Sequence, residues 1–310
     1  MFLRFILSIF VAFLSTFLCF VMLYFSKGNI AYASGVNSQS KEFIQRIERN
    51  LGLDKPLLTQ YKIWLFKALK GDFGVSLLSG ESVVKMIKER LFNTLILSLS
   101  ALSILFVLSI ILAFVEYHFK NSFIEKMIAF ITFNFFALPP LVLALLFILV
   151  FGIFWNFSSW IDFSDDNFLN QLKHLILPIL VLVLSHLAIY LRIVKNFIHE
   201  SFSQIFIQNL YARALRQREI DCLVLRYSLG SIIAYFGSTA LSFIMGAYIV
   251  ESVFNYSGLG SLLLESIIFK DFPVVLALLF LSVLSAAFFT FLSDMIARAL
   301  NPKLRKFSFA

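Results

Sequence analysis

Few residues in this sequence have the types and spacing that chemistry on a substrate requires. The four histidines, at positions 118, 174, 186 and 199, are scattered and lack the spacing of metal ligands. The sequence contains no G-x-x-x-x-G-K-[ST] phosphate loop, no G-x-S-x-G nucleophile and no H-E-x-x-H zinc pair. Cys19 and Cys222 are predicted to be free thiols without a redox role. We therefore predict that the chain is not an enzyme, has no catalytic residue and binds no metal or other cofactor.

Two polar side chains stand out within an otherwise apolar stretch. His186 and Tyr190 are four residues apart, so they lie on the same face of a helix, where they can line a substrate pathway. The alternative is a neutral histidine that is hydrogen-bonded to a neighbouring helix, and spacing alone favours this alternative.

A basic run in a polar loop is the third candidate. Its residue types form helices well, its alanines let a short helix lie close to a partner, and its arginines can bridge to acidic groups. Spacing alone favours a simpler interpretation, in which the run is a solvated loop that carries positive charge. The candidate residues are Tyr211, Ala212, Arg213, Ala214, Leu215, Arg216, Arg218 and Glu219.

The composition indicates which elements must position these residues. Of 310 residues, 60% are apolar and 14% are charged, with a mean hydropathy of +0.90. A soluble globular domain has about 45–50% apolar and about 25% charged residues. The chain is therefore predicted to lie in a lipid bilayer, and intrinsic disorder, collagen and a disulfide-rich secreted scaffold are excluded.

Six stretches are long enough to cross a membrane without a charged residue. A spanning helix needs about 20 residues, and each charge at its centre costs about 2.5–3.5 kcal/mol. The gaps between successive charged residues that reach 18 residues are 22, 25, 35, 18, 24 and 22 residues long. We predict an all-α polytopic membrane protein with spans at 1–26 and at about 91–115, 127–150, 174–195, 228–250 and 273–293. Pro139-Pro140 is predicted to distort the third span and Pro178 to kink the fourth.

The distribution of lysine and arginine predicts the orientation. With the N-terminus in the cytosol, the inner segments hold 13 of these residues and the short outer loops hold two. The other 11 lie in segment 27–90, which exceeds the length of about 60 residues within which the positive-inside rule applies. Both termini are therefore predicted to be cytosolic, and this topology explains the net charge of +8 without nucleic acid.

The segments outside the spans differ in character. In 27–90, apolar residues at helical spacing are followed by glycines, which predicts a helical extracytoplasmic insertion. The insertion is either a structural lid or a docking surface for an extracytoplasmic partner, and the sequence leaves both interpretations open. A core of 91–300 includes a cytosolic loop, 196–226, and a cytosolic tail follows at 301–310. We predict that the first span is retained, because its apolar stretch exceeds the 7–15 residues of a signal peptide.

Five segments carry recognisable motifs in a fixed order. They are Leu51–Pro56 with Gln60-Tyr61, Gly71–Ser76 with Ser79-Gly80, Leu138–Pro140 leading to Phe151-Gly152, Leu177-Pro178, and a loop that contains Glu251, Phe254, Gly258, Gly260, Asp271 and Pro273. Together they resemble the inner-membrane permease of ABC importers for dipeptides, oligopeptides and nickel. We call the six residues of the last segment the signature residues.

The resemblance changes the interpretation of the basic run. In such permeases the loop between spans four and five carries a coupling motif, whose short helix docks on a separate ATPase. The resemblance therefore implies that the eight candidate residues of the basic run are ATPase-coupling residues and that the family's glycine falls near Gln217 or Arg218. The implied partners are a second permease subunit (a paralogue or a second copy), two cytosolic subunits that bind ATP and magnesium, an extracytoplasmic binding protein and membrane lipid.

The function implied is that of an inner-membrane (plasma-membrane) transport subunit that forms half of a translocation pathway. Peptides are the favoured substrates on family frequency, and nickel or nickel chelates are the alternative. An ion-coupled secondary transporter and a membrane scaffold without transport activity are the rival functions. The first rival predicts buried carboxylates within the spans and a repeated half, and the sequence has neither.

Overall fold

The computed structural model describes residues 2–25, 56–154 and 168–300. Within these ranges the regular elements are helices, with one isolated bridge between Val75 and Ser82, so the all-α prediction is confirmed. The helices are α1 (Phe2–Phe25), α2 (Leu57–Leu69), α3 (Val83–His118), α4 (Phe123–Ala137), α5 (Pro140–Phe147), a π-helical segment (Ile148–Phe154), α6 (Phe168–Phe202), α7 (Ile205–Ala212), α8 (Gln217–Ser238), α9 (Ala240–Val253), α10 (Leu259–Ile268) and α11 (Phe272–Leu300).

The chain divides into two compact units. The first unit contains Leu95–Tyr256 and the residues from Phe288 onward, and the second contains Phe2–Thr94 and Ser257–Ala287. The first part of the predicted insertion, up to residue 55, and the predicted cytosolic tail at 301–310 lie outside the described residues.

The core of the first unit is built around α6, which packs against α4, α5, α8 and α9. α3 contributes a stripe of fully buried residues at a spacing of four, beginning with Leu97, Ala101 and Leu105. Residues on the other side of α3, such as Leu99 and Val107, are about half exposed. A stripe at this spacing buries one face of a helix and leaves the rest for lipid.

The third predicted span is not one helix. α4 and α5 meet at a bend of 101°, because Leu138 and Pro139 adopt extended backbone conformations and Pro140 opens the next helix. A proline lacks the N–H group that would continue α4, and it disfavours a helical conformation at the residue before it. The predicted distortion by Pro139-Pro140 is confirmed, and the prediction of one helix at 127–150 is wrong. By contrast, α6 continues through Pro178.

The fifth predicted span is also divided. α8 begins at Gln217, eleven residues before the predicted start, and ends at Ser238, and Thr239 separates it from α9. The Thr239 hydroxyl donates to the Tyr235 carbonyl at 3.0 Å, and Thr290 in α11 donates to the Gly237 carbonyl at 3.0 Å. These bonds satisfy backbone groups at the break, as an interrupted helix in a membrane requires.

In the second unit α2 packs against the later part of α1. The Tyr61 hydroxyl donates to the Phe13 carbonyl at 2.9 Å and lies 2.9 Å from the Thr16 hydroxyl. Burial raises the pKa of Tyr61. A turn at 71–82 then leads into α3, which begins within the predicted insertion and extends eight residues ahead of the predicted second span.

Four described helices are long and apolar enough to cross a membrane, or five if the bent pair α4–α5 counts as one span. They are α3, α6, α8 and α11, and α1 covers the first predicted span with 24 residues. By length and composition, these helices agree with the predicted multi-pass membrane protein. The count of six spans and the cytosolic position of both termini stay predictions.

Candidate functional site

The short helix α7 is anchored to the core by one fully buried residue and leaves several large apolar side chains exposed. The buried residue is Ile207, which lies in the core of the first unit. By contrast, 76% of Ile205 and 45% of Tyr211 are exposed. Large apolar side chains exposed beside a polar loop are typical of a surface that binds another molecule.

The end of α7 is a Schellman motif that explains where the chain turns. The Leu215 N–H donates to the Leu210 carbonyl at 3.5 Å, and the Ala214 N–H donates to the Tyr211 carbonyl at 3.0 Å. Both leucines pack against the core, which is the apolar contact that usually accompanies this motif. Ala214 has φ of 53°, the left-handed conformation that this position requires.

The structure brings the eight predicted coupling residues together, but not in one helix. Tyr211 and Ala212 end α7, and the following residues form the turn and the first part of α8. All eight are exposed except Leu215, which is half-buried. The left-handed position expected of the family's glycine is Ala214, whereas Gln217 and Arg218 are helical. The expectation of a helix across Tyr211–Glu219 is therefore wrong, because the contact between Leu210 and Leu215 turns the chain.

A chain of polar contacts connects this turn to the end of α3. The Gln217 side-chain N–H group donates to the Tyr211 hydroxyl at 3.3 Å and to Asp221 Oδ1 at 2.9 Å. The other carboxylate oxygen of Asp221 lies 3.0 Å from His118 Nε2. We call Tyr211, Gln217, Asp221 and His118 the polar relay. The side chains of His118 and Asp221 are 32% and 26% exposed.

A second set of charges holds the end of α3 against α6. Lys195 Nζ lies 2.8 Å from Glu116 Oε2 and 2.9 Å from Glu125 Oε1, so it joins α3, α4 and α6. Glu116 is buried. Between Glu116 and His118, the Tyr117 ring stacks on Phe202 at 3.8 Å between ring centroids.

His186 and Tyr190 lie where α6 meets α8 and α9. The Tyr190 hydroxyl is 2.7 Å from the Thr239 hydroxyl at the break between these two helices. His186 Nδ1 lies 3.0 Å from the Leu182 carbonyl, and a Cβ atom added at Gly246 would be 2.8 Å from the His186 ring. Both side chains therefore fit closely between helices, and their position along a substrate pathway stays a prediction.

Two signature residues lie at the end of α9 in the first unit. Glu251 and Phe254 are buried, and the Tyr256 N–H donates to the Glu251 carbonyl at 2.9 Å. Burial, with a smaller contribution from the Glu251 carboxylate, raises the pKa of Tyr256 to about 12. The phenol is therefore neutral at physiological pH.

The other four signature residues lie in the second unit, and one of them, Asp271, is a buried carboxylate. Asp271, 1% exposed, follows α10. It accepts hydrogen bonds from the Ser76 hydroxyl at 2.5 Å and the Leu77 N–H at 3.0 Å. Gly258 precedes α10, Gly260 is in its first turn, and Pro273 is in the first turn of α11, where a proline is tolerated.

The sequence did not predict Ser76 as the partner of Asp271 or Gln217 as the partner of Tyr211, and it did not predict the pair of Asp221 and His118. Ser76 and Asp271 are 195 residues apart, and His118 and Asp221 are 103 apart. One local signal was present, because Gln217 and Asp221 have the i, i+4 spacing of residues that meet on one helix face.

In the described residues the chain is all-helical, has several helices long enough to cross a membrane, and has the short helix α7 between the two long helices α6 and α8. Residues 105–306 match the family described as "Binding-protein-dependent transport system inner membrane component", and residues 1–100 match the N-terminal family of such components. The chain therefore belongs to this family, as the motifs predicted.

Several permease subunits are similar to this chain over most of its length. The metal-staphylopine import system permease protein CntB of Staphylococcus aureus is 28% identical over 94% of this chain and 93% of its own. The oligopeptide transport system permease protein AppB of Bacillus subtilis is 28% identical over 85% and 84% of the two chains. The dipeptide transport system permease protein DppB of Lactococcus lactis is 27% identical over 84% and 85%.

The family assigns the chain to the inner membrane as a multi-pass protein that forms part of a translocation pathway. Its relatives are transport subunits and not enzymes. Neither the ion-coupled carrier nor the membrane scaffold is favoured by this result.

Proposed function

We propose that the chain forms one half of the membrane pathway of an ATP-driven importer, and that α7 and the turn after it dock on a separate ATP-binding subunit. The complete importer would contain a second permease subunit, two such ATP-binding subunits and an extracytoplasmic binding protein. ATP and magnesium would be bound by the partner subunits, and this chain would bind no cofactor.

The exposed apolar side chains of α7 are the observation that carries this proposal. Ile205, Phe206 and Tyr211 present apolar surface, while the buried Ile207 holds the helix to the core. The guanidinium groups of Arg213, Arg216 and Arg218 are exposed directly after the helix. A partner that covers this surface needs an apolar groove with acidic groups at its edge, because arginine pairs well with carboxylates.

The orientation of the chain supports the same proposal. The loop that contains α7 belongs to the side that carries 13 of the lysine and arginine residues, and the short loops of the opposite side carry two. The positive-inside rule assigns the richer side to the cytosol, where ATP is available.

The substrate class that we propose is peptides, delivered by the binding protein. AppB and DppB are named as oligopeptide and dipeptide permeases, which supports this choice. A metal bound to an organic chelator is the second candidate, because CntB is named as a permease for metal-staphylopine. Uptake of a labelled tripeptide and of labelled nickel with a chelator, measured in vesicles that contain the complete importer, separates the two.

The docking proposal is tested by purifying the importer through a tag on this chain. Ala214→Glu places a negative charge in the exposed turn among the three arginines, and we expect the ATP-binding subunits to be lost while the chain still inserts into the membrane. Ala214→Gly is the matched control, because it keeps the left-handed turn and adds no charge, and it should retain these subunits. Full retention of both subunits and of ATP-dependent uptake in Ala214→Glu would contradict the docking proposal.

A further inference from the structure

We propose that Asp221 is a positioning residue that transmits movement of α7 to α3 through the polar relay. The proposal rests on the docking function proposed above and adds to it the route by which the docked helix acts on a membrane span. The observation behind it is that each carboxylate oxygen of Asp221 has a different partner, one toward α7 and one on α3.

The relay runs through one face of α8. Gln217 is the first residue of α8 and Asp221 lies one turn later, so their side chains meet on the same face. The amide nitrogen of Gln217 carries two hydrogens and can donate to Tyr211 and Asp221 at the same time.

Two contacts hold the end of α3, the Glu116–Lys195 ion pair and the His118–Asp221 contact, and they differ in strength. Glu116 is buried against Lys195, and breaking a buried pair leaves an uncompensated charge, so this attachment is kept. His118 and Asp221 are each about a quarter to a third exposed, and water can replace their contact at little cost. The His118–Asp221 contact of the relay is therefore the one that can break and form again when α7 moves.

α3 is long enough to carry the movement away from the relay. It is continuous over 36 residues, or about 54 Å at 1.5 Å per residue. A displacement applied at His118 is therefore expected to change the surroundings of Lys85, an exposed residue in the first turn of α3.

The experiment measures that change in the complete importer, purified through this chain and placed in lipid nanodiscs. Cys19→Ser, Cys222→Ser and Lys85→Cys leave one thiol, and its rate of reaction with a polar maleimide is compared without nucleotide and after trapping with magnesium, ATP and vanadate. We expect a nucleotide-dependent rate change in this reference protein and a change smaller by about fivefold with Asp221→Ala.

Three variants make the result specific. Gln217→Ala breaks only the link toward α7 and should reduce the response similarly, since alanine is compatible with a helix start. His118→Ala combined with Asp221→Ala should be no worse than either change alone, because each single change already interrupts the same path from α7 to α3. Glu200→Gln, which removes an exposed carboxylate of α6 outside the relay, should respond like the reference protein.

The ATP-binding subunits should remain bound in all these variants, and their basal ATP hydrolysis should stay within about twofold. A full response with Asp221→Ala, additive losses in the double variant, or no response in a reference protein that retains active ATP-binding subunits would overturn the relay. Absence of these subunits from the reference protein would instead contradict the docking function and the relay with it.

Discussion

The polar relay and the cluster around Asp271 both use an aspartate to join distant segments, but under opposite conditions. Asp271 is buried and receives a hydroxyl and a backbone N–H as donors. Asp221 is about a quarter exposed and contacts two flexible side chains. Burial raises the cost of leaving a polar group unpaired, whereas exposure lets water replace a lost partner. The first arrangement suits a fixed joint, and the second suits a joint that changes.

The largest effect is expected at the fixed joint. Asp271→Ala leaves the Ser76 hydroxyl and the Leu77 N–H without their acceptor, at a cost of about 3 kcal/mol in the free energy of unfolding. The thermal unfolding midpoint of the detergent-solubilised chain should fall clearly. Glu265→Gln is the control, because its carboxylate is exposed and pairs with Arg90 at 3.5 Å, and it should change the midpoint little. Equal midpoints for the two variants would show that burial of Asp271 does not make its contacts stronger than an exposed pair.

The same comparison between a buried and an exposed contact can be made within the first unit. At the end of α3, the buried Glu116 pairs with Lys195, and the more exposed His118 contacts Asp221. Glu116→Gln should destabilise the chain by about 2 kcal/mol, less than for a fully buried pair because Lys195 keeps Glu125 as a partner. His118→Gln, two residues away, should cost well under 1 kcal/mol. Chemical denaturation of both variants in detergent measures this difference, and a larger loss for His118→Gln would reverse our assignment of the two attachments.

The polar relay and the cluster around Asp271 also show which features could be predicted from the sequence and which could not. Uncharged runs and the Pro139-Pro140 pair predicted a multi-pass helical chain and a distortion of its third span, because length and backbone chemistry are local properties. The end of α7 was not predicted, because Ala214 occupies a left-handed position where glycine is the usual signal. The partners of Asp221 and Asp271 depend on which helices pack together, and this information is not present in any local pattern.

Ala214 offers a smaller test of the turn itself. An alanine in the left-handed conformation costs about 1 kcal/mol relative to glycine, and a β-branched residue there is worse. Ala214→Val should therefore lower the free energy of unfolding by about 1–2 kcal/mol, while Ala214→Gly should leave it unchanged or raise it slightly, since glycine also gains freedom in the unfolded chain. Circular dichroism melts of the two variants check this order. Greater stability with valine would show that the turn does not have the conformation described here.

The smallest stability effect is expected for Asp221→Ala, and the relay requires it to be small. A contact that is remade during transport must differ little in free energy between its made and broken forms, because otherwise one form would trap the importer. We expect a loss of less than about 1 kcal/mol in unfolding free energy, shrinking further as salt is raised from low to physiological ionic strength. A loss as large as that of Asp271→Ala, and insensitive to salt, would make Asp221 a second fixed joint. The coupling of α7 to α3 would then have to pass through the apolar contacts of Ile207 and Leu215 with the core.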